Sequence, residues 1–165
     1  MTNFAPSGIN NRSNQKTRID MTPSNSLPKV SIVTPSFNQA SFLERTIRSV
    51  LEQDYENIEY IIIDGGSTDN SKEIIQKYAD RLAYWQSQKD KGQTDAINQG
   101  FARSNGEILA WLNSDDVLYP GAVSAAVRQL SLHPEAGMVY GDCDWINIGD
   151  KVIGRFPAAQ TDLKK

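Results

Sequence analysis

Cysteine and histidine are almost missing from this chain: Cys143 and His133 stand alone. One cysteine forms no internal disulfide and has no second thiolate with which to build a zinc site, which fits a reducing compartment. His133 precedes Pro134 in a stretch expected to end a helix, so it reads as a surface loop residue rather than a catalytic base. No apolar run approaches the ~18 residues that cross a bilayer, so no integral membrane segment is expected. The N-terminus has no continuous apolar segment of signal-peptide type. A cytoplasmic location follows, with peripheral attachment to a membrane left open. The formal net charge of -3 gives no general attraction to nucleic acid or to an anionic membrane. Two phosphate-binding signatures are also missing. Without G-x-x-x-x-G-K-[ST] an ATPase P-loop is excluded, and without G-x-G-x-x-G a dinucleotide fold of dehydrogenase type is disfavoured.

What is present fits one domain and a tail within 165 residues. Residues 1–28 are rich in Ser, Thr, Asn, Gln and Pro, and their few apolar residues follow no structural period, so they are expected to be a disordered tail. Residues 29–165 form the domain. "VSIVTP" (30–35) is a β-branched run stopped by Pro35, a strand. In "SFLERTIRSVLEQ" (41–53), Leu43, Ile47, Val50 and Leu51 share one helical face, and Ser41 and Glu44 have capping-box spacing. "IEYIIID" (58–64) is a second strand, apolar on both faces, and a helix is expected after "GGSTDNS" to about Ala79. A third strand over 82–88, a helix over 93–104, a fourth strand over 107–113 and a helix over 120–133 follow. Pro120 is placed in the first turn of that last helix. Residues 137–156 read as a fifth strand and a hairpin turning near Gly149-Asp150. Strands alternating with helices mean βαβ units, a mainly parallel sheet with helices on both faces, and ligands at the carboxyl ends of the strands.

Those ends are polar. "TPSFN" (34–38), "DGGSTDN" (64–70), "DKGQTDAIN" (90–98) and "NSDD" (113–116) are expected to meet at one edge. They would bring Asp64, Asp69, Asp90, Asp95, Asp115 and Asp116 toward one region, where a cation, a helix N-terminus or water must offset their repulsion. Capping competes with this reading: Asp69, Asn70 or Ser71 can cap the second helix with no other role. "NSDD" resists that explanation, because two extra carboxylates sit between the strand end and Pro120. Hard oxygen ligands at this spacing suit Mg²⁺ or Mn²⁺, which complete their shells with substrate phosphates and water.

The run from "VSIVTPSFNQASFLERTIRSV" through "IDGGSTDNS" and "DKGQTDAINQG" to "LAWLNSDD" resembles the family 2 glycosyltransferases, of the GT-A fold, from about Val30 to about Phe156. The resemblance implies transfer of a sugar, with inversion, from a nucleotide-diphosphate sugar donor to a carbohydrate or lipid-linked acceptor. It implies donor contacts at Thr34, Pro35, Ser36 and Asn38, at Asp64 and Asp69, and at Asp90, Gln93 and Asp95 in the segment that closes over the donor. The family's Asp-Xaa-Asp motif corresponds to Asn113-Ser114-Asp115, which implies a metal ion at Asp115 and a donor contact at Asn113.

The chain departs from the family pattern at three places. Gly65 stands where many members have a second aspartate, which leaves the base to Asp64 and the backbone. Asn113 replaces the first aspartate of the metal motif, and Asp116 either compensates or caps the next turn. The family's general base lies downstream of the hairpin, and "PAAQTDLKK" (157–165), with Asp162 as its lone carboxylate, does not resemble that segment. The chain therefore reads as a donor-binding portion without the acceptor half, and a non-catalytic nucleotide-sugar- or partner-binding fragment is the alternative. A nucleotidyltransferase would need glycine and a basic residue in the first loop, where "TPSFNQ" has neither. A phospho-acceptor receiver domain would need an acidic pair where Thr34-Pro35-Ser36 stands.

Overall fold

The computed structural model describes residues 27–158. The tail expected over 1–28 falls almost wholly outside them, as does Asp162. Strand β1 (Val30–Ser36) is followed by helix α1 (Ala40–Leu51), β2 (Ile58–Asp64) and α2 (Ser71–Lys77). A 3-10 turn at Ala79–Arg81 leads to β3 (Tyr84–Ser87), α3 (Gln93–Phe101), β4 (Ile108–Trp111) and α4 (Ala122–Leu132). An antiparallel hairpin closes the described chain, β5 (Cys143–Ile146) and β6 (Val152–Phe156).

The first four strands form one sheet in the order β3-β2-β1-β4, and every pair in it is parallel. This order dictates where the helices lie. Right-handed crossovers from β1 to β2 and from β2 to β3 put α1 and α2 on one face. The chain then reverses direction across the sheet to reach β4, so α3 falls on the other face. The packing agrees. Ile32, Tyr60 and Ile62 meet Leu43, Ile47 and Val50 of α1, Ile74 and Ile75 of α2, and Val123 and Val127 of α4. Val33, Ile61 and Ile63, one residue out of phase, meet Ala96 of α3. The helix α3 lies so close to β1 that a methyl group on Gly100 would stand 2.3 Å from Val33 Cγ1. On the α3 face of β4, Leu109 and Trp111 remain exposed.

Four local expectations are corrected. Ser41 does not cap α1: the N-cap position is Gln39, and its side chain makes no capping bond. Pro120 lies outside α4, which begins after Gly121 in the left-handed region (φ 80°). The helix expected to run from the "STDNS" segment to about Ala79 ends at Lys77 and tightens into the 3-10 turn. Residues 137–142 form no strand; only the hairpin of the expected 137–156 unit is present. Met138 is exposed and unpaired with the sheet, so apolar composition alone did not bring that run onto an edge.

Candidate functional site

The topology reverses between β1 and β4, and ligand crevices open at such switch points. A groove of about 590 Å³ lies at the carboxyl edge there. Its walls come from the end of β1 (Pro35, Ser36, Phe37), the turn after β2 (Gly65), the loop before α3 (Lys89, Asp90, Gly92) and the end of β4 (Asn113, Ser114, Asp115). Gln93 and Ala96 of α3 and Gln39 complete it. Six of the residues expected from sequence therefore line one groove: Pro35, Ser36, Asp90, Gln93, Asn113 and Asp115.

The others lie beneath or beside it, each with an occupied side chain. Thr34 is fully buried, its hydroxyl 2.9 Å from Tyr60 Oη on the α1 side of the sheet. Asp64 is also fully buried. It accepts hydrogen bonds from the Ser67 amide (2.9 Å), the Ser67 hydroxyl (2.5 Å) and the Ser87 hydroxyl (2.7 Å), tying the end of β2 to the glycine turn and to β3. Asn38, at φ 54°, accepts the Thr68 amide through Oδ1 at 2.9 Å, and its own backbone amide donates to the Ser67 hydroxyl at 2.8 Å. Asp95 accepts from the Lys91 amide and from Gln99 Nε2.

Asp69 works as a clamp. Its Oδ1 accepts the Ser71 amide and its Oδ2 the Ala40 amide, each at 3.0 Å, so one carboxylate holds the N-termini of α2 and α1 together. Burial acts to raise its pKa, but the hydrogen bonds from Ser71 and the Ala40 amide outweigh burial and set it below the ordinary aspartate value. Six carboxylates thus do not converge. Asp90 and Asp115 face the groove, while Asp64, Asp69, Asp95 and Asp116 serve local bonds.

The loop after β4 is held from α1. The Thr46 hydroxyl lies 2.9 Å from the Ser114 carbonyl and 2.8 Å from the Asp116 carbonyl, within donating distance of either. Across the groove, Gln93 Nε2 donates to Asn113 Oδ1 at 2.7 Å, and Asn113 Nδ2 donates to Asp116 Oδ2 at 3.1 Å. Asp116 therefore answers Asn113 and does not cap α4. Both ends of the Asn113 amide are engaged, and the exposed carboxylate of Asp115 lines the groove at this end with no hydrogen bond among the described residues.

Two features point to a ligand. Ser36 is 4% exposed, and its Oγ is the buried side-chain oxygen without a hydrogen-bond partner among the described residues; such a group is costly unless something fills it. Phe37, 60% exposed, places an aromatic ring on the rim. Sequence reasoning passed over Phe37, Gln39 and Lys89. The signal for Lys89 was its place beside Asp90; no comparable pattern marks Gln39. Among the described residues, Lys89 is the one basic side chain lining the groove, against Asp90 and Asp115. A diphosphate entering here would meet a balance of charge that does not favour it without an added cation. Among the described residues, no cluster of three or more His, Cys, Asp or Glu side chains could hold a metal by itself. One carboxylate lining the groove fits Mg²⁺ or Mn²⁺, which take one or two protein carboxylates and draw the rest from phosphates and water.

Comparison with known proteins agrees with this architecture. Residues 31–159 match the glycosyl transferase family 2, and the chain belongs to that family. Among solved structures, Staphylococcus aureus TarS in complex with UDP-GlcNAc superposes with a TM-score of 0.59 at 22% identity, over 64% of this chain and 32% of that one. The mannosyltransferase PcManGT of Pyrobaculum calidifontis, in complex with GDP-Man and Mn²⁺, gives 0.60 at 24% identity, over 72% and 35%. The fold is that of the GT-A glycosyltransferases. An uncharacterised glycosyltransferase of Mycobacterium tuberculosis is 44% identical over 108 residues, covering 64% of this chain and 41% of its own length. The GalNAc(5)-diNAcBac-PP-undecaprenol beta-1,3-glucosyltransferase of Campylobacter jejuni is 33% identical over 121 residues, covering 71% and 38%. The chain thus spans about two fifths of the length of these relatives.

Proposed function

We infer that the groove binds a nucleotide-diphosphate sugar together with Mg²⁺ or Mn²⁺, and that the chain is the donor-binding portion of an inverting glycosyltransferase. The observation that carries this is the Asp115 carboxylate, without a hydrogen-bond partner among the described residues, at the β4 end of a groove whose other charges among those residues are Lys89 and Asp90. In this reading Asp115 holds the cation and Asn113, oriented by Gln93, borders it. Pro35, Ser36 and Asp90 receive the nucleoside. Asp64, Asp69, Asp95, Asn38 and Thr34 shape the walls that carry these contacts. When bound, the cation offsets the negative charge that builds on the departing nucleoside diphosphate. Thr46, by holding the Ser114 and Asp116 carbonyls, fixes where Asp115 stands.

The acceptor is a carbohydrate or a lipid-linked glycan. The resemblance to a relative whose name specifies an undecaprenol-linked acceptor supports the second. No helix among the described residues is long and apolar enough to cross a membrane, so attachment of this portion to a membrane surface would be peripheral. The test is Asp115→Ala, with nucleoside diphosphate binding measured calorimetrically with and without Mn²⁺. The substitution should abolish the Mn²⁺-dependent part of the affinity. An Ala variant that keeps its full Mn²⁺ response removes the basis of the assignment.

A further inference from the structure

Gly65 and Asp90 compete for one volume. A methyl group on Gly65 would lie 3.0 Å from Asp90 Oδ2, 3.1 Å from Oδ1 and 3.2 Å from Cγ. Gly65 does not have a positive φ, so its backbone does not demand glycine. What demands it is the Asp90 carboxylate, reaching over from the loop between β3 and α3. That carboxylate is itself positioned: Oδ1 accepts the Gly92 amide at 2.8 Å, and Gly92 holds a φ of 108° that other residues rarely adopt. Its Oδ2 makes no hydrogen bond among the described residues, and Asp90 is one of the residues that line the groove.

The place of Asp90 along the groove follows from strand order. Gly65 follows β2 and Asp90 follows β3, whereas Asn113 and Asp115 follow β4, on the far side of β1. From β3 to β4 is three strand spacings, about 14 Å. A diphosphate held at Asp115 would leave the nucleoside to extend toward Gly65 and Asp90, past the exposed Phe37 ring and the Ser36 hydroxyl, which has no partner among the described residues. The Gly65 amide donates to the Ser36 carbonyl at 2.8 Å, which holds those two walls together.

We propose that Asp90 is the residue that reads the nucleobase, supplying from the β3–α3 loop a carboxylate in the space that the absent side chain of Gly65 leaves open. The inference rests on the nucleotide-sugar reading of the groove and adds the chemistry of the base. An ionised carboxylate only accepts hydrogen bonds. It matches a base with a ring N–H on its Watson–Crick edge, as uracil, thymine and guanine have. Adenine and cytosine present a ring lone pair there, and the two acceptors repel.

The test is calorimetric titration of UDP, dTDP, GDP, ADP and CDP, with Mn²⁺, into the full chain and two variants. Asp90→Asn keeps an oxygen for the Gly92 amide and replaces the free acceptor by a donor. Gly65→Ala leaves Asp90 in the sequence but pushes its carboxylate aside. The unaltered chain should prefer bases with a ring N–H by about tenfold or more, the scale of one well-made base contact. Within that group the same titrations separate uracil, thymine and guanine. Asp90→Asn should erase or invert the preference, and Gly65→Ala should weaken it. If both variants keep the ranking of the unaltered chain, or lose affinity for all five nucleotides equally, Asp90 does not read the base. If the unaltered chain binds nucleotides without preference, the assignment to Asp90 fails while the donor reading stands. If it binds none of them, both fail.

Discussion

Replacing Asp69 by alanine separates a structural role from the donor contact that its motif suggests. Both oxygens of Asp69 are taken by backbone amides at 3.0 Å, one from Ala40 at the start of α1 and one from Ser71 at the start of α2. Losing one N-cap costs about 0.5–2 kcal/mol. Losing two at a partly exposed site should therefore cost about 1–3 kcal/mol, with the denaturant slope unchanged because the surface buried is the same. Asp69→Asn keeps one acceptor and should lose roughly half as much. The pH dependence gives a second check. Asp69 titrates below its ordinary value in the fold, so its contribution is fully present above the unfolded-state value and is lost as pH falls through the lower, folded one. The gap between wild type and Asp69→Ala in urea unfolding should thus be wide at neutral pH and close in acid. A gap under about 0.5 kcal/mol at neutral pH, the scatter of ordinary surface changes, refutes the clamp.

Two other substitutions probe the groove and its floor. Ser36→Ala removes a buried hydroxyl that has no partner, so thermal unfolding should be unchanged or slightly raised. Nucleotide affinity should drop roughly two- to tenfold, as for one hydrogen bond lost; a large loss of stability with unaltered binding contradicts the ligand role. Gly100→Ala puts a methyl group 2.3 Å from Val33 Cγ1. Overpacking of this kind costs about 1–3 kcal/mol, against about 1 kcal/mol gained in helix propensity. Net destabilisation in urea is expected, and a more stable variant would mean that α3 moves away from β1 freely.

Strands β1 and β2 were legible as runs rich in β-branched residues, and Tyr60 to Ile63 as apolar on both faces; Pro35, expected to stop β1, instead pairs with Ile63 inside it, and the strand ends at Ser36. The groove was legible as a set of polar strand ends. What the residues did not disclose was which side chains would be consumed by the backbone. Asp64, Asp69 and Asp95 carry the same charge as Asp90 and Asp115, yet each accepts at least two hydrogen bonds from nearby amides or hydroxyls. That outcome depends on the path of the turn, which spacing alone does not set. The cap of α1 was misplaced for the same reason. Its acceptors come from Asp69 and Ser71, some thirty residues away in sequence, and a local pattern at Ser41 and Glu44 carries no trace of them. Residues 137–142 looked like a strand by composition, but a strand needs a partner, and the described sheet provides none there.

The most direct test of the donor-binding account is calorimetric titration of UDP, GDP and dTDP into the chain, first with Mn²⁺ and then with EDTA. Saturable binding of at least one of them is expected with Mn²⁺, with most of that affinity lost when the metal is removed. A folded chain that binds none, or binds equally well in EDTA, contradicts the donor-binding account.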